Sequence, residues 1–225
     1  MFEDRHGFGS GSMRPAPGVP PQSLNPWLAI LTEPRECIRQ LIAEDNGAYV
    51  LLLGALGGIT FLTGRLSGTG YHAEIDYNTV VLFLIPAGLV LGPVYIYIAS
   101  AFIRLAGFLL GLSASMRNIR AAMAWSAMPG LYLLPFTLII AALYGPEYFA
   151  PDKFPPEQLG GLSATILSWY AVPEGIAQLW SLVLFVNALG EVEGVSAWKS
   201  SFLLILASML PALLMFGIYM LYKAF

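Results

Sequence analysis

Polar residues thin out five times along this chain, and each gap is long. The apolar runs cover residues 47–64 ("GAYVLLLGALGGITFLTG"), 79–103, 121–144, about 170–189 and 201–221. A bilayer core takes about 20 residues of helix to cross. Each run is expected to be a helix, because backbone groups in lipid must bond within their own segment. Barrel strands would alternate apolar and polar positions, and these runs do not. The pattern therefore predicts an all-α polytopic membrane protein, a bundle of five transmembrane helices. The start of the fourth span is open between Trp169 and Pro173.

The spans carry their own breaks. Pro86, Pro93, Pro129, Pro135 and Pro211 fall inside them; each removes a backbone donor and should kink its helix. Small residues recur at four-residue spacing in Gly54/Gly58, Gly88/Gly92 and Gly107/Gly111. That spacing lets helix backbones approach closely. It suits homodimerisation, or packing inside one bundle, and a five-helix protein needs the internal contacts first.

Before the first span the pattern changes. Residues 1–24 are rich in Gly, Pro and Ser without an apolar run, which predicts a disordered tail with no signal peptide. Then comes "NPWLAILTEPRECIRQLIAED". Asn25 is placed to cap a short turn opened by Pro26. Pro34 restricts Glu33 and starts a second helix. There Cys37, Ile38, Leu41 and Ile42 share one face, with Arg35, Arg39, Gln40 and Glu44 toward the other. The reading is a cytoplasmic interfacial helix, with Trp27 at headgroup level and Arg35 and Arg39 facing cytoplasm or lipid phosphate. Asp45, Asn46 and Gly47 break it, and residues 25–225 form one membrane domain.

Composition supports the membrane and removes other classes. The 225 residues are 57% hydrophobic and only 11% charged, where soluble domains run near a quarter charged. A net charge of -3 leaves no basic footprint for nucleic acid. One cysteine, Cys37, excludes an internal disulfide framework. With two histidines, His6 and His72, and no acidic cluster beside them, no metal site is expected. Eight Lys and Arg residues fall on the side of the amino terminus and three (Arg65, Lys153, Lys223) on the other. The amino terminus is thus expected in the cytoplasm and the carboxyl terminus outside. The segment 145–161, with four prolines and three acids, reads as an outer loop too Pro-rich for a helix.

Chemistry is sparse. "GVSAWKS" at residues 194–200 has Trp198 where a phosphate loop needs glycine, so no nucleotide is expected. Gly111-Leu112-Ser113 and Gly161-Leu162-Ser163 begin a nucleophile turn and do not complete it. No cofactor and no catalysis are expected. The best polar feature is Glu174, Gln178 and Ser181, which share one face of the fourth span. Ionisable groups within a membrane mark a path or relay by default. The simpler reading starts the helix at Pro173 and places Glu174 in its first turn at the outer interface. Asn187, on another face, reads as interhelical glue, and Arg104 as a snorkelling end residue.

"NPW" followed by "TEPR" and "IR", the segment "GFLLGLSASMRNIRAAMAWSAMPGLY" and the closing "LWSLVLFVNALGEVEGVSAWKSSFLLIL" resemble the bacterial branch of the Yip family, the Ypt/Rab-GTPase-interacting integral membrane proteins. The resemblance covers residues 25–225 and implies five spans with a cytoplasmic amino terminus. Eukaryotic members carry an "LYGP"-type motif before span one; here "LYGP" falls at residues 143–146, after span three. A GTPase-binding role is therefore not carried over. The expectation is a non-enzymatic protein of a bacterial cytoplasmic membrane, organising membrane or recruiting partners. Its partners would be membrane lipids, other membrane proteins or a second copy of itself. The alternative is a small-solute or ion transporter using the polar face of the fourth span.

Overall fold

The computed structural model describes residues 24–44, 47–67, 77–149 and 161–224. The expected tail, the break at residues 45–46, His72 and most of the segment 145–161 lie outside them. The described residues hold helices and no strands. The helices are α1 (Pro26–Thr32), α2 (Pro34–Ala43), α3 (Gly47–Leu66), α4 (Tyr77–Leu109), α5 (Met116–Ser126), α6 (Met128–Tyr144), α7 (Pro146–Phe149), α8 (Gly161–Val192) and α9 (Ala197–Ala224).

Among the described residues four helices, α3, α4, α8 and α9, are long and apolar enough to cross a membrane, and α5 and α6 together meet the same test as a bent pair, a fifth candidate span. The third span, expected to kink at its prolines, is a helix pair broken at Ala127 and bent by 45°. Pro129 does not interrupt a helix midway, as the sequence suggested, but sits in the first turn of α6, where its missing N–H costs nothing. The pair still traverses the bundle. Ile119 and Trp125 of α5 are buried at the end that carries α2, whereas the carbonyl of Ala141 in α6 accepts from the Tyr77 hydroxyl (3.0 Å) at the distal end.

Two ends are set by glycine. The Leu112 N–H reaches back to the Gly107 carbonyl (2.8 Å) with Gly111 at φ +72°, and the Val195 N–H to the Gly190 carbonyl (2.8 Å) with Gly194 at φ +67°. Both are Schellman stops, which need a residue free to take positive φ. So Gly107 and Gly111 terminate a helix and do not form a second close-packing stripe.

Gly54/Gly58 and Gly88/Gly92 face each other across α3 and α4. A Cβ on Gly58 would lie 2.1 Å from the Gly88 oxygen and 2.6 Å from the Gly92 Cα. The stripe is consumed within one chain. At the α2 end, Ile30, Cys37, Ile38, Leu53, Trp125 and Met128 form a fully enclosed core. A second cluster around Ile59, Leu84, Leu134 and Phe149 fills the distal end. Outward, apolar side chains face where lipid would be; from Leu213 to Tyr222 every large one is exposed.

Two further expectations change. The segment after α6 begins with a helical turn, α7, despite its prolines, because Pro146 sits at its first position. The apolar stretch of the fourth span starts at Trp169, at the edge of the expected range, but the helix that carries it, α8, begins at Gly161, so Pro173 lies inside α8. Upstream sequence is apolar enough to extend the helix, and a proline within a span is tolerated where neighbours repair the lost bond.

Candidate functional site

Two polar regions stand out against this apolar frame. At the α2 end, Asn25 caps α1, its side-chain oxygen accepting from the Trp27 N–H (3.2 Å), and α2 begins at Pro34, both as the sequence indicates. The apolar face of α2 does not point to lipid. Cys37, Ile38 and Leu41 are buried against the bundle. The polar face then reaches α8. Arg35 donates to Asn187 Oδ1 (3.4 Å) and the Val195 carbonyl (3.5 Å) and lies 3.7 Å from Glu191. Arg39 pairs with Glu191 (2.7 Å) and with Glu36 (2.8 Å). Gly190 leaves the room: a Cβ there would sit 2.9 Å from an Arg35 nitrogen. Asn187 is thus glue, but to α2 and not to another span.

Trp27 packs edge-on to Trp125 (5.2 Å between ring centroids) and Tyr49 (6.0 Å), and its carbonyl accepts from the Tyr132 hydroxyl. Arg104 donates to the Leu112 carbonyl (2.9 Å), and Glu193 accepts from the Ala114 N–H (3.1 Å). The first bond fastens the α4–α5 turn to α4, and the second ties it to the end of α8. Burial, with the Glu44 carboxylate adding, pushes the Cys37 thiol up to about 11.

The second region lies in the distal half. A cavity of about 390 Å³ opens between α3, α6 and α8. Thr60, Arg65, Ser67, Thr137, Glu174 and Gln178 supply its polar lining. Glu174 is therefore not a helix-start residue, and the first-turn reading is corrected: α8 begins thirteen residues earlier. Within the apolar stretch Trp169–Val192, Glu174 lies about 7.5 Å inside its end at the helical rise. The Tyr148 hydroxyl donates to its Oε1 (3.4 Å), and Thr137 bonds Tyr170 beside it. Ser181, one turn further on the same face, is outside the lining. The three sequence candidates are thus split, with Glu174 and Gln178 together and Ser181 apart.

Arg65, Tyr148, Thr137 and Glu191 were missed by sequence reasoning. Glu191 carried a readable signal, because two arginines one turn apart on α2 call for an acid on the same side. Arg65 had none; its place in the same cavity as Glu174 depends on how α3 and α8 are arranged. Among the described residues, no three His, Cys, Asp or Glu side chains gather to hold a metal.

A bundle of apolar helices, with one end capped by an ion-paired amphipathic helix, defines a multi-pass membrane protein. Residues 28–220 match the Yip1 domain, and the chain belongs to that family. No curated protein and no solved structure matches it.

Proposed function

We propose that this protein, read as a bacterial member of the family, acts without catalysis as a scaffold of the cytoplasmic membrane that recruits protein partners through α1 and α2. The excess of Lys and Arg on the α2 side supports a cytoplasmic position for that end. One observation carries the proposal. Among the described residues the lining of the polar cavity includes none of the apolar core at the α2 end, where Ile30, Ile38, Leu53, Trp125 and Met128 are buried together. A preformed helical platform sits over that core, with Leu28, Glu36 and Arg39 exposed on it. The test is capture of partners from native membranes by the full chain and by a Leu28→Glu/Glu36→Lys variant, whose changes face solvent. Proteins held by the wild type should be lost by the variant; an unchanged set would reject the platform.

A second reading is favoured by the cavity itself. Glu174 and Gln178 line it, as a transporter open toward the distal side would require. Solute flux into vesicles that falls with Glu174→Gln, at unchanged expression and melting temperature, would replace the scaffold reading.

A further inference from the structure

The distal cavity holds a cation and an anion that do not pair with each other. Arg65 and Glu174 both line it, and the ion pairs among the described residues join neither to the other. The Arg65 guanidinium instead lies over the Phe61 ring, 5.5 Å from its centroid. Glu174 receives one long bond, from Tyr148, on Oε1. Opposite charges held apart on the walls of one cavity suit a ligand that carries both charges itself. Among the described residues neither charge enters a salt bridge.

A second cavity of about 370 Å³ shares Phe61 with the first. It lies between α3, α4 and α5, and Leu53, Gly57, Leu62, Leu91 and Met123 make it almost wholly apolar. Along α3, Gly57, Phe61 and Gly64 fall on one face, at intervals of four and three residues. Gly57 lines the apolar cavity and Gly64 the polar one. A Cβ on Gly57, on Gly64 or on Gly175 of the facing α8 would meet nothing within 4 Å. This is unlike Gly58, Gly88 and Gly92, which are pressed against backbone. These open glycines keep space that packing does not use.

The geometry points to a binding site for one zwitterionic phospholipid with a primary ammonium headgroup. Its phosphate lies by Arg65, its ammonium donates to Glu174 and Gln178, and one acyl chain passes Phe61 into the apolar cavity. Charge complementarity selects the headgroup, and the adjoining apolar cavity selects a lipid over a free zwitterion. The site is independent of the scaffold proposal: partner capture can fail while lipid retention stands.

The test uses the purified, delipidated full chain and native mass spectrometry. It is offered equal dioleoyl phosphatidylethanolamine and dioleoyl phosphatidylglycerol, which differ only in the headgroup. Retention of the ethanolamine lipid should exceed that of the glycerol lipid at least fivefold. Glu174→Gln should bring the ratio near one, and Arg65→Gln should weaken both lipids. Gly57→Leu and Gly64→Leu fill open space, so they should melt within a few degrees of wild type yet lose the lipid; either variant that folds suffices. Equal retention of the two lipids by wild type, or a ratio unmoved by Glu174→Gln, overturns the site. If glycerophosphoethanolamine at equal concentration displaces the lipid and Gly57→Leu has no effect, the lipid assignment falls and a free zwitterion replaces it.

Discussion

Cys37 sits at the contact of α2 with the bundle, fully enclosed, its sulfur 3.6 Å from the Pro26 carbonyl. Burial raises its thiol to about 11, so the neutral form dominates at physiological pH. Thiolate is the reactive species, so alkylation of native protein at pH 8 should be far slower than that of a free thiol, and should quicken on unfolding. The stability contribution has a definite sign. The folded pKa lies above the ordinary 9.0, so the contribution is present in full below pH 9 and is lost as pH rises from 9 to about 11. Rapid modification at pH 8 without loss of helix would mean that α2 leaves the bundle. Sequence showed Cys37 among the apolar residues of α2; only packing decided that this face meets protein.

The pairing of α3 with α4 is where elements decide stability. At Gly58 any Cβ strikes backbone of α4 on two sides, so the helices must separate. Gly58→Ala should cost about 1–3 kcal/mol, the usual range for overpacking, and lower the melting temperature in detergent. Gly57→Ala, one residue away, meets open space and should stabilise by about 0.5–1 kcal/mol, because alanine loses less backbone freedom in a helix. If the two changes act alike, the α3–α4 contact is not as described. The glycine spacing was legible in sequence, and so were the cap at Asn25 and the helix start at Pro34. Two boundaries were not. The break at Ala127 shows no interruption in hydrophobicity, and Pro173 resembles a helix start until the preceding turns are seen to be helical.

For the whole molecule, the distribution of Lys and Arg predicts an orientation that the fold makes testable. If the bent α5–α6 pair counts as one span, five crossings put the two termini on opposite sides. A reporter active only outside the cytoplasm should be active when fused after Phe225 and silent within residues 117–120. The reverse result would sink the charge argument, and silence at both sites would mean that α5–α6 does not cross.

Sequence alone determined that the chain is a helical membrane protein of about five spans, because hydrophobic length and missing charge are sums over local residues. It determined the cap at Asn25 and the helix start at Pro34 for the same reason, since each needs only its own neighbours. The tertiary structure decided what no local pattern holds. The apolar face of α2 is spent on the bundle and its arginines on Glu191, more than 150 residues away in sequence. Arg65 and Glu174 come to one cavity from helices that share no sequence proximity. Which apolar face meets protein and which meets lipid depends on shape complementarity between distant helices, and composition cannot distinguish them because both surroundings are equally apolar.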